Sequence, residues 1–261
     1  MKIVVIGGTG LVGSGVVSKL SAMGHEAIPA SPRLGVNTIT GEGLAKALDG
    51  ASVVVDVSNS PNFEYLTALE FFATSTHHLV VAEAAAGVGH HVALSVVGTK
   101  DLSEAGLTKT TAGYFLAKLV AEALVRTSGI PYSIVHATQF FEFIAGIADE
   151  QTVDGAVHVP PVAFQPMAAE DVAGAVSRIA VGTPANAIVE VGGPERFQLD
   201  EAIRRVLASA DDARKVVTDP DAGYYGIAVG QQTLVPSDGA RLGEVRLDDW
   251  IRKSAAKRVA V

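Results

Sequence analysis

In the stretch GYFLAK, Tyr114 and Lys118 stand four residues apart, so a phenol and an ammonium share one face wherever that stretch is helical. Such a pair suits proton transfer to an oxygen. A free phenol has a pKa near ~10, and a neighbouring ammonium draws it toward the working range. When hydride reaches a carbonyl carbon, the phenol can supply the proton that the developing oxyanion requires. Ser95, near the carboxyl end of the apolar run HHVALSVVG, is placed to hydrogen-bond that oxyanion.

Hydride needs a donor, and the amino terminus offers a place to hold one. KIVVIGGTGLVGSGVV runs an apolar stretch into Gly7-x-x-Gly10-x-x-Gly13 and then into a helical pattern. A glycine turn between strand and helix lets backbone N–H groups approach a diphosphate, and the helix end adds its partial positive charge. A glycine triplet can also be a tight turn without a ligand. Its place after the first strand of an alternating chain gives it weight. About 20 residues beyond such glycines a carboxylate usually selects an unphosphorylated ribose. Here the second apolar run instead ends AIPASPRLG, where Ser31 and Arg33 suit a 2′-phosphate. NADP(H) is expected over NAD(H).

These residues must be carried by an alternation of strands and helices. KIVVI, HEAIPAS, a short VNTIT, SVVVDVSN, HHVALSVVG and IPYSIVHA read as strands, and AIVEVGG as the last one. Helical patterns lie between them: about Leu11 to Met23, GEGLAKALDG, Phe63 to Ala86 and AGYFLAKLVAEALVRTSG. That order predicts an α/β fold, a doubly wound parallel sheet of Rossmann type. After Thr138 the character changes, with TQFFEFIAGIADE aromatic and VHVPPVAFQP broken by proline. We expect one Rossmann-based domain over 1–261: a dinucleotide-binding part mainly in 1–137, and a small covering lobe for substrate mainly in 138–170 and 195–261.

Taken together, GGTGLVGS, SVVG, GYFLAK and SGIPYSIVHATQFFEF resemble the short-chain dehydrogenase/reductase superfamily, and more narrowly its atypical NmrA-like NAD(P)-binding branch. The resemblance covers about the first 145 residues and continues more loosely through MAAEDVAGAV and VGGPERFQLDE. It implies that Gly7, Gly10 and Gly13 form the glycine motif, with Thr9, Leu11 and Val12 in the phosphate turn. Ser31 and Arg33 match the position that selects the 2′-phosphate, and Ser58 and Asn59 the loop that meets the cofactor. Ser95, Tyr114 and Lys118 match the catalytic serine, tyrosine and lysine, and Ala137 and Thr138 the loop packed on the nicotinamide. The chain departs from the family in two ways: no counterpart of the fourth catalytic asparagine can be placed, and the stretch from Ser95 to Tyr114 is longer than in compact members.

Composition bounds the alternatives. With 261 residues, 48% hydrophobic and 18% charged, the chain can bury a sizeable core. A net charge of −8 argues against nucleic acid as a partner, and the basic tail IRKSAAKRVAV does not reverse it. The absence of cysteine excludes disulfides and zinc–cysteine sites. No apolar run approaches ~18 residues, so no membrane span is expected. With no export signal, a cytoplasmic location is the simplest expectation. His77-His78 and His90-His91 diverge too far as neighbours to chelate, and no metal is expected. Glu170 and Asp171 read as helix caps. His136 can reach substrate or a loop, and Phe140 and Phe143 can wall an apolar substrate pocket. The expected activity is NADPH-dependent reduction of a small carbonyl, quinone or related unsaturated compound, with a small molecule as the partner. Two other readings stand beside it: a nucleotide-sugar epimerase or dehydratase, and a regulatory protein that senses NADP(H) without catalysis.

Overall fold

Each apolar run that reads as a strand feeds a helix, because parallel neighbours can be joined only by a crossover. In the computed structural model Lys2–Ile6 (β1) leads into Leu11–Ala22 (α1), and Glu26–Ala30 (β2) into Leu44–Leu48 (α2). Val53–Asp56 (β3) leads into Tyr65–Ala86 (α3), and His90–Val96 (β4) into Thr99–Ser103 (α4) and Thr110–Thr127 (α5). Then follow Tyr132–Ala137 (β5), Ile144–Glu150 (α6), Thr152–Val153 (β6), Ala156–Val159 (β7), Ala163–Phe164 (β8) and Ala169–Ala180 (α7). Ala187–Gly192 (β9), Phe197–Gln198 (β10), Leu199–Ser209 (α8), Lys215–Thr218 (β11), Arg241–Leu242 (β12) and Leu247–Val259 (α9) end the chain. The structure describes residues 1–104 and 110–259. Residues 105–109 of the expected loop before Tyr114, and 260–261 of the basic tail, lie outside the described residues.

Seven strands form one sheet in the order β12-β9-β5-β4-β3-β1-β2, every pair parallel. This is the doubly wound Rossmann-type arrangement. The chain steps from β1 outward to β2 and then returns to β3 on the other side, which opens a crevice at the carboxyl ends. Helices α1 and α7 cover one face, burying Val12, Val16, Leu20, Val172, Val176 and Ile179 against β1, β3 and β5. Helices α3 and α5 cover the other face and pack on each other.

Two expectations about strands need correction. VNTIT makes no strand, because the Asn37 side chain accepts from the Ile39 and Thr40 amides and curls the segment into turns. The sheet therefore ends at β2. AIVEVGG is not the last strand either: β12 adds beside it, pairing Arg241 with Val191.

Beyond β5 the chain builds a second layer of small elements. β11, β7 and β6 form a three-stranded sheet, and β10 and β8 an antiparallel pair. Phe141, Ile144 and Ile147 here share one core with Leu199 and Ile203 of α8, and with Tyr114 and Phe115 of α5. The helix bearing the tyrosine–lysine pair thus lies where the covering elements meet the sheet's own helices.

Candidate functional site

The glycine turn sits at the carboxyl end of β1, in the crevice. Gly7 has φ +76°, a conformation L side chains rarely adopt. A Cβ on Gly13 would stand 2.1 Å from the Gly7 carbonyl oxygen, so α1 approaches the turn as closely as it does only with glycine there. Thr9, Gly10 and Leu11 are exposed, whereas Val12 turns its side chain into the core and offers only its backbone. No side chain caps α1, so its first amides face the crevice uncommitted. At the ends of β2, β3 and β5 the hydroxyls of Ser31, Ser58 and Thr138 are buried without a hydrogen-bond partner. Buried orphans of that kind are costly, and a polar ligand can satisfy them. Arg33 is exposed on the 3-10 turn after β2 and makes no ion pair among the described residues. Bare amides, unpaired hydroxyls and a free guanidinium along one edge fit a dinucleotide. Ala137 also lies on this edge, at the end of β5, where its carbonyl accepts from the Val97 amide at 2.9 Å.

Tyr114 enters from α5. Its ring is buried edge-on against Phe63 and Phe72, with centroids 4.8 and 5.7 Å away. Its hydroxyl donates to Asn59 Oδ1 at 2.8 Å. Burial pushes the phenol well above its ordinary range, and the bond to Asn59 only partly offsets this. The expectation that Lys118 draws this phenol down does not describe the chain as it stands. The Lys118 ammonium donates instead to the Leu94 carbonyl at 2.8 Å and lies 4.5 Å from the Phe72 ring centre. Burial lowers Lys118 to about 8, opposed by the nearby Asp56 and Glu122 carboxylates. Burial that disfavours the phenolate also makes this phenol a reluctant donor, so positive charge must reach it before it gives up its proton.

Ser95 and His136 do not join Tyr114. They are paired across β4 and β5, and both point at Glu122, two helical turns beyond Tyr114 on α5. The Ser95 hydroxyl donates to Glu122 Oε1 at 2.6 Å, and His136 Nε2 lies 2.9 Å from the same oxygen. An α-helix rises about 12 Å over eight residues, so the serine serves a carboxylate in the interior. Burial opposes the charge of Glu122, but His136, Ser95 and Arg126 outweigh it and hold its carboxyl below the usual range. Sequence reasoning passed over Glu122, although 114, 118 and 122 continue one four-residue spacing.

The remaining candidates divide. Phe140 and Phe143 stack at 5.3 Å on the loop after β5, with Phe143 half exposed. Glu170 and Asp171 begin α7 without capping it. Glu142 accepts from the Ala169 amide instead, at 3.1 Å, while Asp171 Oδ2 accepts from the Glu244 and Val245 amides. Among the histidine pairs, His91 forms a buried ion pair with Glu83 at 2.8 Å. His90 Nε2 bonds Ser133 Oγ, and His78 Nδ1 the Thr38 carbonyl. Beside the first turn of α5, a cleft of about 520 Å³ is lined by Thr111, Glu150, His158, Asp219, Asp221 and Tyr225.

No family model matches the chain, and no curated protein matches it in sequence. Solved structures do match its fold from end to end. A short-chain dehydrogenase/reductase superfamily protein from Agrobacterium tumefaciens with bound NAD is 18% identical, with a TM-score of 0.72 over 100% of this chain and 98% of that one. A GDP-mannoheptose C4 reductase from Campylobacter jejuni with NADP bound is 12% identical, with a TM-score of 0.71 over 98% of each chain. An enzyme from Bordetella bronchiseptica in complex with NAD and UDP is 13% identical, with a TM-score of 0.71 over 100% of this chain and 96% of that one. At these identities the likeness establishes a shared fold.

Proposed function

We propose that the chain is a nicotinamide-dependent oxidoreductase, of the NmrA-like kind its motifs resemble, that reduces a small carbonyl, quinone or related unsaturated compound. The observation that carries this is the place of Tyr114: its hydroxyl donates to Asn59 at 2.8 Å, and the neighbouring Ser58 backbone packs directly against Gly7 of the glycine turn. When bound there, the cofactor supplies hydride. The chain supplies the proton, as the Tyr114 hydroxyl exchanges Asn59 for the substrate oxygen and donates to it. Lys118, one turn along α5, holds its ammonium on the Leu94 carbonyl and would have to turn from it to steady the resulting phenolate. The oxyanion role expected of Ser95 is not part of this proposal, because its hydroxyl is spent on Glu122. Arg33 favours NADP(H), since no carboxylate stands beside it to repel a 2′-phosphate.

Several proteins of this fold act on nucleotide sugars, by their own descriptions. The cleft beside the first turn of α5 is a poor host for a diphosphate, with Glu150, Asp219 and Asp221 among its lining. The stacked Phe140 and Phe143 at the end of β5 favour a planar, uncharged substrate instead.

Oxidation of NADPH with a panel of aldehydes, ketones and quinones tests the reading. Tyr114→Phe should lower kcat by roughly 10²–10⁴ while leaving dinucleotide affinity intact. Turnover unchanged by that substitution, or absent from wild type, retracts the enzyme and favours a sensor of the dinucleotide. Arg33→Ala should weaken NADPH by about 10- to 100-fold and NADH hardly at all. Equal loss for both retracts the preference.

A further inference from the structure

Tyr114, Lys118 and Glu122 occupy successive turns of the sheet-facing side of α5, and the last of them is the most tightly held. Oε1 of Glu122 takes Ser95 and His136, and Oε2 accepts from Arg126 at 2.8 Å. Fixed from two strands and from its own helix, the carboxylate cannot swing to Lys118 and must act on it through space. Between them lies a cavity of about 20 Å³, lined by Asp56, Ser58, His91, Ser95, Lys118 and Glu122. The groups facing Lys118 are Asp56 from β3, His91 from β4 with Glu83 of α3 behind it, Glu122 and Arg126 from α5, and His136 from β5.

We infer that Glu122 is a positioning residue that keeps Lys118 in its ammonium form, so that an interior carboxylate sets the upper pH limit of the reaction. The inference rests on the proposed pairing of Lys118 with Tyr114. Its physical basis is position. Lys118 is buried, its one hydrogen bond among the described residues goes to a neutral carbonyl, and an aromatic ring lies beneath it. A carbonyl and a ring face steady a buried ammonium only in part, and the anions across the cavity, Asp56 and Glu122, supply the rest. Of these, Glu122 is the one whose orientation three partners fix. It also explains why Ser95 points inward. The serine orients the carboxylate that charges the lysine, and reaches the chemistry only through it. Burial lowers Lys118 toward the physiological range, and Asp56 and Glu122 oppose that fall, in keeping with this arrangement.

The test follows Lys118 directly, by NMR titration of 13C-labelled lysine with Lys118→Arg to assign the signal, alongside the pH profile of kcat/KM with NADPH. In Glu122→Gln the removal of an anion disfavours the ammonium. Its titration and the alkaline limb should both move down by about one pH unit, with NADPH affinity at pH 6 unchanged. Glu122→Asp should return both toward wild type, and Ser95→Ala should move them a shorter way in the same direction. A titration that stays put in folded Glu122→Gln overturns the inference. If Glu122→Gln does not fold, an unmoved titration in Ser95→Ala overturns it equally. A shifted titration in a protein without turnover sinks the proposed reaction and the catalytic half of the inference, and leaves the coupling of the two charges standing.

Discussion

Lys118 carries a cost that its chemistry requires. The unfolded chain holds the lysine proton to its ordinary 10.5, whereas the folded chain releases it near 8 because burial outweighs the neighbouring carboxylates. Between those values the unfolded state binds more protons, so stability rises with pH. Above about 10, where free phenols ionise, buried Tyr114 and Tyr224 reverse the trend, because only the unfolded chain gives up those protons. Stability should therefore climb from pH 8 to about 10. Lys118→Met should flatten that climb and raise stability at pH 7 by about 1–3 kcal/mol, the Leu94 carbonyl left without its donor taking part of the gain back. Urea melts across this range check it, and a climb persisting in the variant refutes the assignment to Lys118. At this scale the sequence placed Tyr114 and Lys118 on one helix, as α5 has them, because a four-residue spacing needs only a helix. It misplaced Ser95, because the strand's alternation gives the face of a side chain but not its depth against α5. His91 and Ser95 share that face, which is why each ends in a buried carboxylate contact.

Among the elements, α3 and α5 meet closely where Gly113 precedes the phenol. A Cβ on Gly113 would stand 2.5 Å from the Cβ of Tyr65 and 2.6 Å from its ring, at the start of α3. Nothing in GYFLAK marks that glycine as a contact, since the clash exists only once Tyr65 is brought across. Gly113→Ala should force the two helices apart, costing about 1–3 kcal/mol as overpacking does. It should lower turnover more than dinucleotide affinity, because the displaced element carries Tyr114 rather than the glycine turn. Thermal melts and a kcat against Kd comparison measure both, and an unaltered melting temperature refutes the close contact. The capping of α7 shows the same limit. Glu170 and Asp171 have the residue types of a cap, yet Glu142, 27 residues earlier, reaches the Ala169 amide.

For the molecule as a whole, alternation of apolar runs and helical patterns was enough for the doubly wound sheet, its parallel sense and the crevice. Turn chemistry defeated the expected third strand, through the Asn37 side chain. The region beyond Thr138 was opaque for a different reason. Apart from β9, its strands are two to four residues long, and its order comes from partners far along the chain. Asp171 illustrates this by tying down the amides of Glu244 and Val245 more than 70 residues away. Asp171→Ala should leave α7 folded and loosen the segment after Ala240. Amide exchange there should quicken, at a cost of about 1–3 kcal/mol for the two orphaned amides. Unchanged protection would refute this.

That closing segment also has a bearing on how the chain is born. β12 is one edge strand of the sheet, and it covers the end of β9, at Val191 and Gly192, some fifty residues after β9 is made. A nascent chain emerging at its ordinary pace therefore carries an uncovered row of amides and carbonyls for several seconds. During that interval the whole outer edge of β9, its last two residues included, is open to pairing with a stranger.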